Sequence, residues 1–323
     1  MTTFSAYLAR INRVFDHIDA HLAEPLDLNA LAAVAHFSPY HFHRLFKSIA
    51  GETLAGRVRR RRVERAAGLL VRSPETTAMQ IALETGFASP EVFTRAFRAH
   101  FGMTPTAWRC GGHVRWAAVQ LDALSKIQQA ESKHHQAALE VIRQDKDMWQ
   151  HGHMIITGGL PMQVEIKHFS DVRIAYMRHV GPYGSASISL MWQRFGRWCH
   201  EQGLIPPPRI MYGMCLDNPG MTPADKLRYD ACIEVDDGFK PQGDMGVSLL
   251  KGGRYACAKF VGAGADIAGA WGRFISDWLP GSGYVFDMSD ESRRCMEVYG
   301  VDFKMDQETG VFNAELCLPV RRA

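Results

Sequence analysis

One stretch of text occurs twice in the first third of the chain. HFSPYHFHRLFKSIAG at 36–51 and GFASPEVFTRAFRAHFG at 86–102 agree at Phe37/Phe87, Ser38/Ser89, Pro39/Pro90, Phe42/Phe93, Arg44/Arg95, Phe46/Phe97, Lys47/Arg98 and Gly51/Gly102, with one residue inserted in the second copy. A repeat of this kind means one supersecondary unit used twice. In each copy a serine followed by proline offers an N-cap and a first-turn residue with no N–H to satisfy, so each opens a helix. In the first, Phe42, Leu45, Phe46 and Ile49 have the spacing of a packed face, and Tyr40, His43, Arg44 and Lys47 fall on the other side. In the second, Phe93, Ala96, Phe97 and His100 face inward and Glu91, Thr94, Arg95 and Arg98 outward. Upstream, after an opening helix over 6–22, Asp27 caps a short helix whose Leu28, Leu31, Ala32 and Ala35 share a face. The expected unit is a short helix, a tight turn and a second helix with a basic exposed side.

Between the copies, residues 54–72 read as one long helix with Val58, Val63, Ala66, Ala67 and Leu70 available for packing. Its nineteen residues span roughly 28 Å at 1.5 Å each, close to the roughly 34 Å between successive major-groove faces of a duplex. Charge points the same way. Residues 1–110 carry 14 Lys or Arg against 9 Asp or Glu, a net of +5; residues 111–160 carry 5 against 5; residues 161–323 carry 18 against 20, a net of −2. Lys47 is the one lysine among the fourteen cations, and arginine's planar fork suits phosphate.

The segment 8–109 resembles the double helix-turn-helix DNA-binding domain of the AraC/XylS family of bacterial transcription regulators. FASPEVFTRAFRAHFGMTPTAWR is similar to the family signature, with Trp108 where a Tyr is commonest. The resemblance implies base contacts from the second helix of each motif. In copy one these fall on Tyr40, His43 and Arg44, with Lys47 nearer the backbone. In copy two they fall on Pro90, Glu91, Val92 and Arg95, where the polar Gln or Thr of close relatives is not followed, so the second half-site is expected to be read differently or less stringently. Arg44 and Arg95 can each take guanine O6 and N7, and Glu91 can accept from cytosine N4. Arg57, the run Arg59 to Arg62 with Arg60 at its centre, and Arg98 are expected to meet phosphate or solvent.

Residues 111–161 read as a helical linker region, broken by Gly111 and Gly112 at one end and GGLP at 158–161 at the other. The histidines at 134, 135, 151 and 153 have no cysteine or carboxylate at ligand spacing, and no metal or cofactor is expected.

From 162 to 323 the pattern changes to alternating strands, with helical stretches near 184–202 and 266–279. VRIAYMRHVG precedes a helix with Trp192 and Phe195, and RYACAKFVG one with Trp271 and Phe274; each helix is followed by two more strands. The expected architecture is multidomain: an all-α double helix-turn-helix domain (1–110), then an α+β domain (162–323) of two sheet-and-helix halves about a pseudo-twofold axis. A groove between the halves is expected, with Tyr176, Tyr183, Trp192, Trp271, Trp278 and Tyr299 available to line it. Glu297 alternates with Met296 and Val298 in CMEVYG, so it can project into that groove or into solvent.

Residues 164–321 resemble the GyrI-like, or SHS2-type, effector-binding domain, through IKHFSDVRIAYMRHVGPYG, GGRYACAKFVG, AWGRFISDWLPGSGY and CMEVYG followed by AELCLPV. The resemblance implies that Glu297 lies at the bottom of an aromatic-walled pocket for cationic or polarised lipophilic ligands. An AraC-type domain followed by a GyrI-like one is similar to the Rob-like regulators, from which this chain differs by a longer inter-domain segment.

The resulting expectation is a cytoplasmic regulator, an activator by family resemblance, that binds promoter DNA as a monomer, contacts RNA polymerase and responds to a cationic aromatic small molecule. The alternatives are that the second domain is a protein-interaction module, or a weak hydrolase with Glu297 as general base. GxSxG, HExxH and Walker motifs are absent, and 261–269 lacks the third glycine of a dinucleotide loop, reading instead as a turn with Asp266 capping the next helix. Cys199 and His200 are adjacent on a helix and diverge by about 100°, poor geometry for a nucleophile and its base. Seven cysteines without a CxxC pair fit reduced thiols, and no run of eighteen apolar residues invites a membrane.

Overall fold

A computed structural model describes residues 3–144, 162–287, 290, 292–306 and 309–323, with side chains in the first span up to residue 129. The chain divides into two compact units, one of residues 1–121 with 219–223 and 240–246, the other of 122–218, 224–239 and 247–323.

The first unit is helical: α1 (Thr3–Ala20), α2 (Leu28–Val34), α3 (Pro39–Ala50), α4 (Leu54–Arg72), α5 (Ala78–Glu84), α6 (Pro90–Phe101), α7 (Pro105–Ala107) and the first part of α8 (His113–Gln144). The repeat is wider than the sequence match. α2 and α5 each have seven residues and begin at side-chain caps, Asp27 accepting from the Ala30 N–H at 2.9 Å and Thr77 from Gln80 at 3.2 Å. The turn that follows holds one left-handed residue in each copy, His36 at φ 52° and Gly86 at φ 82°. α3 and α6 each run twelve residues from a serine cap with proline in the first turn to a left-handed glycine, Gly51 at φ 64° and Gly102 at φ 69°. Local chemistry alone therefore fixes both ends of both second helices.

Each motif has its own core. Leu31, Ala32, Phe42 and Phe46 pack with Ile11, Val14, Phe15 and Ile18 of α1 and with Val58 of α4. Ile81, Ala82, Phe93, Phe97, Phe101 and Trp108 pack with Val63, Ala66, Ala67 and Leu70 at the other end of α4. Burying each of these large side chains stabilises by about 1.5–3 kcal/mol, so α4 is clamped at both ends and joins the motifs as one rod. Trp108 and Arg109 complete it: the indole N–H donates to the Ala67 carbonyl at 3.0 Å, and the guanidinium to the Leu70 and Thr76 carbonyls at 3.1 and 2.6 Å.

The linker reading divides. After a break at Cys110 and Gly111, α8 runs as a single helix to Gln144; residues 145–161, with His151 and His153, and the side chains of His134 and His135 lie outside the described residues. Among the described residues no helix is long and apolar enough to cross a membrane.

The second unit contains β1 (Val164–Phe169), β2 (Val172–Val180), α9 (Ala186–Glu201), β3 (Met211–Cys215), β4 (Arg228–Glu234), β5 (Gly246–Leu250), β6 (Gly253–Gly262), α10 (Ile267–Arg273), β7 (Tyr284–Phe286), β8 (Cys295–Tyr299) and β9 (Phe312–Arg322). The strand order is β1-β6-β9-β8-β3-β4-β2-β5, with β7 on β9. Read from the central β8–β3 pair outward, β3-β4-β2 then β5 on one side matches β8-β9-β6 then β1 on the other, so the sheet is palindromic about the expected pseudo-twofold. β5 escapes the sequence reading because its burial does not alternate along the strand, and β7 because three residues are too few to show a period.

Candidate functional site

The exposed face of α3 carries Tyr40, His43, Arg44 and Lys47, all solvent-exposed, with the Arg44 guanidinium 5.9 Å from the Tyr40 ring centre. On α6, Glu91, Val92, Arg95 and Arg98 are exposed, and Pro90, Glu91, Thr94, Arg95 and Arg98 together line one open depression. Both faces exist because Phe42 and Phe46, and Phe93 and Phe97, take the opposite side of each helix into the cores. Glu91 is less available than its exposure implies. Its carboxylate is hydrogen-bonded by Ser89 and by its own N–H at the start of α6, which holds its pKa below the usual range.

The arginine run is corrected by the structure. Arg60, expected at phosphate, is buried: it donates to Glu52 at 2.7 and 3.2 Å and to Glu64 at 2.9 Å. Burial works against its charge, but the Glu64 and Glu52 carboxylates more than offset this and hold its pKa above the ordinary value. Arg57 is buried too, its guanidinium 3.5 Å from the centre of the Phe15 ring. Arg61 grips Asp19 at 2.9 Å and Glu64 at 2.8 Å, and Arg62 donates to the Leu22 and Glu24 carbonyls, both at 2.8 Å. Only Arg59 of this run is exposed. The dense arginines thus lock α4 to α1 and to the turn after it. The spacing that reveals this is Arg57, Arg60 and Glu64 on one helical face, within reach of Glu52.

In the second unit Glu297 faces the side of the sheet that carries Tyr299, Phe274 and Leu316, and it is 3% exposed. The Tyr229 and Tyr299 hydroxyls both donate to its Oε2, at 2.6 and 2.8 Å. Trp192 from α9 donates its indole N–H to the Tyr229 oxygen at 3.3 Å and packs edge-on to Tyr299 at 5.1 Å. The Trp271 indole N–H, buried and outside hydrogen-bonding geometry, lies near enough to favour the charged carboxylate. Burial nevertheless dominates and pushes the Glu297 carboxyl above its usual range, while the two tyrosines and Trp271 pull it back. Trp278 lies beyond this group with its ring tilted against Phe274, centroids 5.4 Å apart.

Tyr176 does not join the group. It pairs with Cys232 in the β2–β4 ladder, and this parity turns it to the opposite face of the sheet, where it is buried with Tyr212 and Tyr255 under the Arg178 guanidinium. Tyr183 is a structural pin: its hydroxyl accepts from the Asp217 N–H at 3.0 Å and lies 2.9 Å from the Asp217 and Arg228 carbonyls. Two members of the site escaped the sequence reading. Tyr229 lies in a strand without a distinguishing motif, and Gly213 is brought to Glu297 only by the pairing of β3 with β8. Cys199 is buried, with its thiol pushed up to about 12 by burial, as for a packing residue. Asp266 accepts from the Ala263 N–H at 2.9 Å, which closes the 263–266 turn and does not cap α10.

Two family models match separate stretches of the chain. A helix-turn-helix domain model matches residues 31–110 and a GyrI-like small molecule binding domain model matches 162–321. The chain is 31% identical over 254 residues to the transcriptional regulator Rob of Salmonella typhimurium, covering 77% of each chain. It is 31% identical over 99 residues to the regulatory protein SoxS of the same organism, covering 31% of this chain and 92% of SoxS. Among solved structures, the DNA-binding domain of AdpA in complex with a target DNA is 31% identical, covers 33% of this chain and 95% of that one, and has a TM-score of 0.31.

Proposed function

Because the chain belongs to the Rob-like AraC-type transcription regulators, with a DNA-binding helix-turn-helix domain followed by a GyrI-like small-molecule-binding domain, we propose that it activates transcription from promoters it binds as a monomer. The observation that carries this reading is the pair of identically capped helices, α3 and α6, fixed to the two ends of one rod and each exposing cations. Two reading heads on one chain need no second subunit to reach adjacent major grooves. Arg44 and Arg95 read bases, with Tyr40, His43 and Glu91 beside them; Lys47, Arg59 and Arg98 neutralise phosphates. Residues 1–110 form the DNA-binding domain, 111–161 the linker region and 162–323 the effector domain. The bound regulator contacts RNA polymerase in the cytoplasm, and it carries out no catalysis.

The effector is a lipophilic cation. Glu297 supplies the buried negative charge, and Trp192, Trp271, Tyr229 and Tyr299 supply aromatic faces, whose cation-π attraction is worth about 0.5–2 kcal/mol. A cation at Oε2 shares the carboxylate with the two tyrosine hydroxyls and restores the charge that burial disfavours. Selection of bound duplexes from a random DNA pool, followed by footprinting and ultracentrifugation on the selected site, tests the DNA reading. One chain protecting two groove segments about one turn apart is expected; an obligate two-chain complex on a minimal site would sink it.

A further inference from the structure

The sheet face opposite Glu297 carries a second cluster of chemically active groups. Cys257 on β6 and Cys317 on β9 are ladder partners, and their Sγ atoms lie 2.9 Å apart. Glu315, two residues before Cys317 and therefore on the same face, brings a carboxylate oxygen within 4.8 Å of both sulfurs. The cysteines are 2% and 0% exposed, while the Glu315 side chain reaches the rim at 27%. There Lys167 of β1 donates to both Glu315 oxygens at 2.5 and 2.7 Å, with Glu165 3.8 Å away on its other side.

Packing alone explains two buried thiols. Beside them at the rim stand a partly exposed carboxylate and ammonium, which add a third ligand and a compensating charge. Two sulfurs and one carboxylate are a donor set for soft d10 cations and a poor one for magnesium or calcium. At metal–sulfur bonds of about 2.3 Å, tetrahedral geometry needs the sulfurs only about 3.8 Å apart, a small widening of the present gap.

We propose that Cys257, Cys317 and Glu315 bind one soft divalent cation of the zinc or cadmium class on the face of the effector domain opposite Glu297. Each thiol gives up its proton to solvent on coordination, so the divalent ion, two thiolates and one carboxylate sum to a single negative charge. The Lys167 ammonium neutralises that charge in place, moving its hydrogen bonds from Glu315 toward Glu165; water completes the fourth position. The bound ion staples β6 to β9, and Leu316, next to Cys317, is the ladder partner of Glu297. The site therefore stiffens the strand beneath the effector pocket.

The test is a titration of the reduced, chelator-stripped full chain with cadmium, followed by the ultraviolet charge-transfer band of cadmium thiolates. One equivalent is expected to bind. Cys257→Ser and Cys317→Ser should each lower affinity at least tenfold and weaken the band, and Glu315→Gln should lower affinity with the band intact. Cys110→Ser, at an exposed thiol, should change neither. On the unmodified chain, stoichiometric zinc should slow alkylation of Cys257 and Cys317 as mapped by mass spectrometry, a readout that needs no folded variant. A full-strength band in the Cys257→Ser/Cys317→Ser double variant, or no zinc protection of these two thiols, overturns the site.

Discussion

Gly213 lies directly opposite Glu297 in the β3–β8 ladder, and a Cβ at that glycine would meet the Glu297 Oε2 at 2.6 Å and collide with the Tyr229 hydroxyl. The missing side chain is what lets the tyrosine reach across β3 to the carboxylate. One strand of the first half, by being bare at one position, completes a site whose acid belongs to the second half.

Gly213→Ala should therefore displace the Tyr229 hydroxyl while leaving the acid in place. Overpacking of this kind costs about 1–3 kcal/mol of stability, readable in denaturant unfolding. Calorimetry with a cationic dye should show at least tenfold weaker binding. Wild-type dye affinity in a folded Gly213→Ala variant would remove the tyrosine-clasped carboxylate from the binding site.

Glu297→Gln should separate stability from recognition. Burial raises the acid's pKa in the folded chain, so the folded state holds a proton that the unfolded state releases. Stability associated with this group is fully present below the ordinary carboxylate range and is lost as pH rises through the raised folded value. The variant should match the wild type near about pH 4 and exceed it at neutral pH. Its affinity for a cationic dye should fall by about 2 kcal/mol or more, roughly thirtyfold, with neutral analogues little changed. A wild type as stable as Glu297→Gln at neutral pH would contradict the buried acid.

The sequence discloses the exposed faces of α3 and α6 almost completely because their determinants are local: Ser38 and Ser89 start the helices, Gly51 and Gly102 end them, and helical spacing sorts Phe42 from Arg44. A strand offers less. Alternation says that Tyr176 and Met177 face apart, but which of them faces Glu297 depends on long-range register, and there the sequence reading chose the wrong side. Arg60 failed for another reason: charge along a helix is indistinguishable from exposure until its partners, Glu52 and Glu64, are brought beside it.

The two arginines make a direct contrast. Arg44→Ala should weaken binding by about 1–3 kcal/mol at a single base position and leave unfolding unchanged, since Arg44 is exposed on α3. Arg60→Ala leaves Glu52 with Arg57 and Glu64 with Arg61 but removes the arginine that joins them, and should cost about 1.5–3 kcal/mol of stability, with no specific change in salt slope. Arg59→Ala should instead reduce the salt slope by about one on every sequence. Binding of all three variants to matched and substituted duplexes across a salt series, alongside unfolding curves, distinguishes these outcomes; uniform losses for Arg44→Ala would end its role as a base reader.

Gly86 and Gly102 test what holds the two reading heads in register. Both occupy left-handed backbone, at φ 82° and 69°, where a side chain costs about 1–2 kcal/mol. Their surroundings differ. A Cβ at Gly102 meets nothing within 4 Å, whereas one at Gly86 would lie 2.5 Å from the Leu22 carbonyl and 2.9 Å from the Arg62 guanidinium that donates to it. Leu22 belongs to the first motif's core and Gly86 to the second motif's turn, so the glycine is where the two motifs touch across α4. In the first copy the equivalent His36 takes the same conformation with its side chain in solvent. Gly102→Ala should therefore lose only the conformational cost and keep the full footprint. Gly86→Ala should lose about twice as much stability, since the backbone carbonyl cannot move aside as a flexible side chain would. It should also shorten the footprint to one groove segment, because displacing the turn re-aims α6 relative to α3. Equal stability losses and equal footprints for the two variants would show that the contact at Leu22 does not set the spacing of the reading heads.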